Sequence, residues 1–274
     1  IPSCVPATSF DKPGHILSLE DTEKLASTGR FTMLSEVMNV SGVIHNDPDI
    51  IKKIEIAKKY HLKIDGHAPE LKGDLLSSYI VHGIETDHES STIEEAEEKI
   101  SKGMHVIIRE GSAAKNYEAL KSLIATSTDY VMFCTDDSHA DDLLNKGHIN
   151  KIVKKALSDG FGIFDVLQIA CINPVRFYHL DIGTLHIGDP ADFIILNDID
   201  SLDIDSTFIQ GEEVYRKGMN KDCKIVDVPL LNVFHHDKIS EIDICTNVCG
   251  DIPCIQIIPD SILTDRKTLH FENS

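Results

Sequence analysis

The sequence predicts an α/β fold in which parallel strands alternate with helices, as in part of a (β/α) barrel, followed by a small β domain. The first observation is a set of four polar clusters, each directly after an apolar run, that contain His67, His88, Glu110 and Asp136. The second is their spacing of 21, 22 and 26 residues, the length of one strand plus one helix. The third is a change to short β-rich runs after Gly183. Because a (β/α) barrel gathers the carboxyl ends of its strands on one face, the four clusters are expected to meet there.

Helix and strand signals alternate between these clusters. Asp47 before Pro48 has the pattern of a helix start, and apolar residues along one face extend that helix. Ser91 and Glu94 have the spacing of a capping box, which predicts the start of another helix that ends near Gly103. The predicted strands are 62–64, 84–86, 104–108 and 130–134, and the predicted helices include 47–61, 75–81 and 115–125.

The second half of the chain changes its pattern. Helical periodicity continues over 148–158 and 164–171, whereas short β-branched runs at 193–196 and 207–209 follow, separated by turn sequences. The sequence therefore predicts a partial (β/α) barrel at 1–182, a small β domain at 183–218 and the start of a β-rich region at 219–274.

Composition narrows the class of partner. The chain has 274 residues, 42% of them apolar, and carries a net charge of −19. Its 26 Lys and Arg against 45 acidic residues do not provide the basic face that nucleic acids or anionic membranes require. Small molecules are the expected partners. With no apolar run near 18 residues and no signal-peptide pattern, we expect a cytoplasmic protein.

Cysteine usage agrees with this expectation. The seven cysteines are odd in number and most lie within apolar runs, which is typical of reduced thiols rather than of a disulfide framework. Cys245, Cys249 and Cys254 match no strong metal-binding spacing, and we predict that they are small core residues near turns.

Histidines and carboxylates at successive strand ends form a ligand set for a divalent cation. Such a cation lowers the pKa of bound water towards about 7. His67 and His88 supply nitrogen donors, while Glu110 and Asp136 are candidates for the proton transfers of a hydrolysis. Each cluster alone has a structural alternative, since Gly-His-Ala suits a turn and Asp-Asp before a helix suits a cap. Their recurrence at four regular strand ends favours the metal interpretation.

Six short motifs and two further stretches point to a known family. In chain order the motifs are Ile1–Ala7, Ser35–Asn39, Asp65–Pro69, Asp87–Glu89, Ile108–Ala113 and Thr135–Asp137. Together with 147–149 and 183–192, they resemble the adenine deaminase family of the amidohydrolase superfamily, and the likeness covers most of residues 1–218. The resemblance implies a (β/α) barrel with a small β domain and a metal-dependent hydrolysis of adenine to hypoxanthine and ammonia.

The resemblance also implies a metal site. Glu36 resembles a bridging carboxylate at the end of the fourth barrel strand, and His67 and His88 resemble metal ligands on the fifth and sixth. Asp136 resembles the aspartate of the eighth strand that binds metal and relays a proton. The expected cofactor is manganese or iron, with zinc as an alternative.

Further residues are implied to handle the substrate. Glu110 would lie on the seventh strand and act on a ring nitrogen of adenine, so Glu110 and Asp136 are the expected catalytic residues. Arg109, Asp137 and Glu89 are expected to bind or support the substrate.

Two features predict that the site is incomplete in this chain. The superfamily's His-x-His pair does not occur anywhere in the sequence, and Glu36 to Asp136 supply only five strands, whereas a barrel has eight. Strands four to eight would form an open parallel sheet from about Phe31 to Cys134. Its edge near Phe31–Leu34 is predicted to be unpaired and to expose apolar surface. We expect a half-site that holds one cation weakly.

Two alternatives stay open on the sequence alone. The first is a catalytically inactive fragment that serves as a binding module and binds no metal tightly. The second is an amidohydrolase that acts on another cyclic amide or amidine. The sequence also leaves open whether the chain forms a homo-oligomer.

Overall fold

The structure is a computed structural model of the chain. It describes residues 1–7, 11–199, 201–220, 238–240, 248–259, 261 and 263–272. In this part of the chain, a wall of parallel strands is followed by an antiparallel four-stranded sheet and then by a two-stranded hairpin.

Five parallel strands form the wall, but not as one continuous ladder. They are β1 (Met33–Val37), β2 (Lys63–Gly66), β3 (Thr86–Asp87), β4 (His105–Arg109) and β5 (Val131–Cys134). β1 pairs with β2, and β3, β4 and β5 pair in order. Between β2 and β3, the Glu85 amide donates to the Ile64 carbonyl, and the Gly66 amide donates to Thr86 Oγ1, both at 3.1 Å. The predicted five-stranded sheet is thus two ladders joined at this β2–β3 seam.

Helices lie between and beside the strands of the wall. They are α1 (Leu19–Ser27), α2 (Val40–Ile44), α3 (Pro48–Lys59), α4 (Gly73–Ile80), α5 (Ile93–Ser101), α6 (Tyr117–Leu120), α7 (Leu123–Thr126), α8 (Ala140–Lys146), α9 (Ile149–Ser158), α10 (Ile163–Leu167) and α11 (Asn173–Tyr178). A π-helical turn over 168–172 joins α10 to α11, and the predicted helix at 115–125 is divided into α6 and α7. None of the helices in the described ranges has both the length and the apolar character of a bilayer span.

The helix starts show how well capping signals locate an element. α3 begins where predicted, because the Asp47 side chain accepts a hydrogen bond from the Asp49 amide at 2.9 Å. The N-cap of α5 lies one residue later than predicted. Thr92, rather than Ser91, caps the Glu95 amide at 3.3 Å, while the Glu95 carboxylate accepts the Ser91 amide at 3.2 Å.

Apolar side chains of the strands pack against the helices in two clusters. Leu34 and Ile64 belong to the cluster formed with α1 to α4, and Val106 belongs to the cluster formed with α5, α6, α7, α9 and α10. Ile107 and Met132 point to the opposite face, where a phenylalanine of α11 covers them. Because strand side chains alternate between faces, apolar side chains cover both faces along the strands. The polar residues therefore lie at the strand ends.

The edge of β1 is covered, contrary to the prediction of an unpaired edge near Phe31–Leu34. The amino group of Ile1 donates to the Met33 carbonyl at 2.8 Å, and the Ser35 amide donates to the Ile1 carbonyl at 2.7 Å. Residues 1–3 therefore lie beside β1 and satisfy part of its backbone. The prediction of an unpaired edge was wrong because a segment this short shows no strand periodicity, whereas Phe31 is exposed as predicted.

The predicted small β domain is an antiparallel sheet. Its strands, in spatial order, are β6 (Phe193–Leu196), β7 (Ile204–Ile209), β8 (Glu212–Arg216) and β9 (Met219–Asn220). Phe193 and Phe208 stack across β6 and β7 with ring centroids 4.6 Å apart, a cross-strand aromatic contact that helps to hold the sheet. The domain boundaries at 183 and 218 stay predictions.

A hairpin follows near the end of the chain. β10 (Gly250–Ile257) pairs antiparallel with β11 (Thr264–Phe271). Cys249 is exposed and Cys254 is partly buried, so the prediction of a core position is wrong for Cys249. Cys245 lies outside the described residues. The described cysteines, free as predicted, are Cys4, Cys134, Cys171, Cys249 and Cys254.

Candidate metal centre

Four side chains from three neighbouring strand ends converge on one point. Glu36 lies near the end of β1, His67 directly follows β2, and His88 and Glu89 directly follow β3. One donor atom from each of the four lies within 4.8 Å of the others. We call these residues the carboxylate–histidine cluster. The strands end at these positions because the apolar runs end there, which brings the polar residues after them to one edge.

The cluster is compact. Glu36 Oε2 lies 2.6 Å from His88 Nε2 and 3.1 Å from His67 Nδ1. On the other side, Glu89 Oε1 lies 3.2 Å from His88 Nε2 and 3.3 Å from His67 Nδ1. The two imidazole rings meet edge to face with centroids 5.8 Å apart. Two carboxylate oxygens therefore flank two ring nitrogens.

Hydrogen bonding does not satisfy this arrangement. His88 Nε2 is buried and makes no hydrogen bond of normal geometry, despite its short distance to Glu36. Glu89 Oε2 is also buried without a partner. Buried polar atoms in this condition are uncommon in native proteins and call for an explanation. A divalent cation would provide it, since imidazole nitrogen and carboxylate oxygen are its usual donors. The residues present therefore fit a metal ion.

The charges of the cluster shift each other's protonation. Burial lowers the pKa of both imidazoles, but the carboxylates outweigh it, so the pKa of His67 rises to about 9 and the pKa of His88 to about 10. Burial raises the pKa of Glu36, but the imidazoles outweigh it and lower this pKa to about 2. The pKa of Glu89 is lowered for the same reason. Without metal, the imidazoles hold protons that a cation would displace.

Asp136, predicted as a metal ligand, lies at the edge of the cluster. Its Oδ2 is 3.5 Å from His88 Nε2 and 2.8 Å from Arg109 Nη1. Burial raises the pKa of this carboxyl, and the nearby charges of Arg109 and His88 oppose that rise. Its backbone φ of 43° is in the left-handed region, a conformation that costs free energy in a non-glycine residue. The sharp turn after β5 thus directs the carboxylate towards His88.

Arg109 joins the predicted substrate-binding residues to one another. Its side chain is 9% exposed and its Nη1 contacts Glu89 Oε1. Its Nη2 lies 3.3 Å from Asp137 Oδ1. The guanidinium therefore faces carboxylates from the ends of β3 and β5, and its Nε is buried without a partner. Glu89, which was predicted to support the substrate, is also a member of the carboxylate–histidine cluster.

Glu110 does not join the cluster. It is buried at the end of β4, and its Oε1 lies 3.4 Å from Lys155 Nζ of α9. It lines a cavity of about 380 Å³ together with His88, Glu89, Arg109 and Lys155. The structure therefore separates the two predicted catalytic carboxylates, with Asp136 beside His88 and Glu110 in the adjoining cavity.

Two supporting residues were missed or left without a role at the sequence level. Asp87 Oδ1 accepts the Ala68 amide at 2.8 Å, which ties the loop after β2 to β3. Asn116 donates to the carbonyls of His88 and Ser90, both at 3.0 Å. Asp87 lies within a recognised motif, whereas no local sequence signal distinguishes Asn116.

A larger groove lies elsewhere on the molecule. It has a volume of about 620 Å³ between α1 and α3 and is lined by residues such as Glu23, Lys52 and Tyr60. Its lining contains no histidine or cysteine and none of the strand-end residues. The chemistry therefore points to the smaller cavity beside the cluster.

Comparison with known proteins agrees with this architecture. The family model described as "Amidohydrolase family" matches residues 1–214. A curated adenine deaminase from Sulfurovum sp. is 45% identical over 97% of this chain and 50% of its own length. One from Methanosarcina acetivorans is 49% identical over 88% of this chain and 43% of its length, and one from Borreliella afzelii is 46% identical over 98% and 50%. The chain spans about half the length of the curated relatives it matches.

Solved structures support the fold. The β-aspartyl dipeptidase of Fervidobacterium islandicum AW-1, in complex with β-Asp-Leu dipeptide, superposes with a TM-score of 0.55 at 16% identity, over 75% of this chain and 62% of that one. Another structure of that enzyme gives a TM-score of 0.53 at 19% identity, over 71% and 57%. The predicted class, a partial (β/α) barrel followed by a small β domain, is confirmed. From the match over residues 1–214 together with this fold, the chain belongs to the amidohydrolase family.

Proposed function

We propose that this chain supplies the catalytic barrel segment of a metal-dependent adenine deaminase. The observation that carries the proposal is the carboxylate–histidine cluster, in which the buried His88 Nε2 faces two carboxylates without a normal hydrogen bond. Three relatives named adenine deaminase support adenine as the substrate. They are 45%, 49% and 46% identical to this chain, over 97%, 88% and 98% of its length.

Glu36, His67 and His88 would hold the cation, with Glu89 beside them and Asp136 as a further ligand. Manganese or iron is the proposed metal and zinc the alternative, since such donor sets accept several first-row ions. When bound, the cation would lower the pKa of a bound water towards about 7 and so supply hydroxide. The distance of 3.5 Å from Asp136 Oδ2 to His88 Nε2 supports the inclusion of Asp136.

Asp136 would also move the proton. Water adds its oxygen to C6 of the purine and the bond from C6 to the exocyclic nitrogen breaks, so one water enters and one ammonia leaves. Asp136 would take a proton from the attacking water and deliver it to the departing nitrogen. Burial raises the pKa of this carboxyl, which favours its protonated form in the second half of the reaction.

Glu110 is proposed to act on the ring nitrogen of adenine. Its place in the cavity beside His88 and Glu89 supports contact with a substrate held there. Arg109 and Asp137 are proposed to shape this pocket through the ion pair between them, at 3.3 Å.

We further propose a cytoplasmic enzyme of adenine catabolism that binds a small molecule and neither nucleic acid nor membranes. The net charge of −19 supports this choice of partner. Homo-oligomer formation is a separate question that gel filtration with light scattering would answer.

The decisive experiment is a chimera in which this chain replaces the matching part of the Sulfurovum adenine deaminase. We expect the chimera with Mn²⁺, Fe²⁺ or Zn²⁺ to release ammonia from adenine, the His88→Ala chimera to lose this activity, and the His82→Ala chimera to keep it. A folded, metal-loaded chimera without turnover of adenine would contradict the proposal. A substrate panel of other cyclic amides and amidines would then identify a different specificity.

The isolated chain tests the alternative of an inactive binding module. Metal titration of the purified chain should show about one cation per chain, bound weakly. A chain that binds no cation at micromolar to millimolar concentration would favour the inactive module.

A further inference from the structure

Lys99 of α5 is a fully buried lysine whose ammonium group is surrounded by oxygen atoms. Its side chain has 0% exposure. Its Nζ donates to the Ala68 carbonyl at 2.6 Å, to Glu95 Oε1 at 2.7 Å, to Asp87 Oδ2 at 2.8 Å and to Ser90 Oγ at 3.0 Å. A buried charge is stable only when it is paired and hydrogen-bonded, so these four acceptors fix the ammonium in place. We call Lys99, Asp87, Ser90 and Glu95 the Lys99 network.

Three of the four acceptors lie beside the two histidines, and the fourth, Glu95, is on α5 itself. Ala68 directly follows His67 in the loop after β2. Asp87, the last residue of β3, and Ser90, in the loop after β3, flank His88 and Glu89. One ammonium group therefore holds both loops at the point where they approach each other.

The carboxylates of the network bind the same two loops through backbone amides. Asp87 accepts the Ala68 amide from one loop and the Ser90 amide, at 2.9 Å, from its own. Glu95 Oε1 accepts the Glu70 amide at 2.9 Å. The Lys99 ammonium thus pairs with the charge of each carboxylate. Each carboxylate also accepts hydrogen bonds from backbone amides near one or both histidines.

Lys53 of α3 provides a contrast within the same fold. Its side chain is also buried, at 5% exposure, but its ammonium group pairs with Asp49, whose side chain is 63% exposed. Lys53 lies on another helix and contacts neither histidine loop through a hydrogen bond in the described structure. A buried lysine as such is therefore not what connects the two loops.

We propose that Lys99 is a positioning residue for the metal site, which sets the separation of His67 from His88 by holding the loops after β2 and β3 together. This inference rests on the proposed metal-binding function. Groups that orient metal ligands from outside the coordination sphere commonly change metal affinity or activity by about 10- to 100-fold when they are removed.

The test compares Lys99→Met with Lys53→Met in the chain as it exists. Both changes remove a buried ammonium and keep an unbranched side chain of similar length. Amide hydrogen exchange is measured at Ala68 and Ser90, and Mn²⁺ affinity is measured by calorimetric titration. We expect Lys99→Met to increase exchange at both amides and to weaken Mn²⁺ binding about 10- to 100-fold. Lys53→Met should lower stability but leave exchange at both amides and the Mn²⁺ affinity unchanged.

Three outcomes separate the inference from the proposed function. Unchanged exchange and unchanged affinity in folded Lys99→Met would overturn the inference, as would an equal loss of affinity in Lys53→Met. If the parent chain binds no Mn²⁺, the proposed function fails, and the exchange data alone decide whether Lys99 holds the loops. If Lys99→Met does not fold, Ser90→Ala removes one acceptor at lower cost and should change both measurements in the same direction by a smaller factor. No change in that variant would overturn the inference.

Discussion

The carboxylate–histidine cluster and the Lys99 network lie side by side at the ends of β2 and β3, but they differ in the hydrogen bonding of their buried polar atoms. In the Lys99 network, every buried side-chain nitrogen and oxygen has a hydrogen-bond partner. In the cluster, His88 Nε2 and Glu89 Oε2 have none. Satisfied buried networks rigidify a structure, whereas buried polar atoms without a partner call for an explanation such as a bound ion. The contrast supports a structural role for the Lys99 network and the proposed metal-binding role for the cluster.

The largest expected effect is on the cluster itself. Replacing His88 by Ala removes a nitrogen donor and should weaken metal binding more than about 100-fold. Removing a residue that only orients a metal ligand weakens binding by at most about that factor. His82→Ala changes a histidine at the end of α4 and serves as the control. Equilibrium dialysis with Mn²⁺ measures both variants. Equal affinities for the two variants would show that the cluster is not the metal site.

Arg109 connects the cluster to the outer carboxylates. Replacing Arg109 by Met removes the guanidinium that pairs with Glu89, Asp136 and Asp137. Because the pair with Glu89 is buried, its loss should reduce the free energy of unfolding by about 3–5 kcal/mol. Urea denaturation measures the change. Arg176→Met, at an exposed position on α11, is the control and should have little effect. A loss equal to that of the control would mean that Arg109 does not hold these carboxylates together.

The raised pKa values of His67, about 9, and His88, about 10, predict opposite pH trends for stability and metal binding. The folded metal-free chain binds more protons than the unfolded chain above pH 6.5, so its stability should fall as the pH rises towards 9 and 10. Metal affinity should increase over the same range, by up to about tenfold per pH unit for each displaced proton. Denaturation and metal titration at several pH values measure the two trends. An affinity that does not depend on pH would contradict displacement of protons from the imidazoles.

The smallest expected effect concerns the β2–β3 seam. Thr86 Oγ1 accepts the Gly66 amide and donates to Asp65 Oδ1 at 2.9 Å. Thr86→Val keeps the shape of the side chain but leaves the buried Gly66 amide without this acceptor, which should cost about 1–3 kcal/mol. Thr126→Val, at an exposed position on α7, is the control. Thermal unfolding compares the two. A loss no greater than the control would show that the backbone contact at Glu85 is sufficient to join the ladders.

Local sequence signals explain which parts of the site could be predicted. Apolar runs place β2 and β3 to within two residues of their observed bounds, and the polar clusters that follow these runs include His67 and His88. The position of Glu89 was harder to predict because neighbouring residues on a strand point to opposite faces. The chain leaves the strand after Asp87, and both His88 and Glu89 then turn towards the cluster.

Contacts made by helix packing could not be predicted from the sequence. Lys99 lies 12 residues from Asp87, and with Glu95 it has the i,i+4 spacing typical of an exposed helix pair. Only the packing of α5 on the wall buries this pair. Asn116 lies 28 residues from His88 in a loop without a distinctive pattern. The cover on β1 likewise depends on residues 1–3, which are too few to show periodicity.

The β2–β3 seam divides the site between two hydrogen-bonded units. Glu36 and His67 belong to the ladder of β1 and β2, while His88 and Glu89 follow the first strand of the other ladder. Any cation held by all four would cross-link these units where backbone pairing is weakest. In the metal-bound protein, the cation would then hold the two ladders together. The resistance of the wall to mechanical separation would depend on the cation in its own binding site.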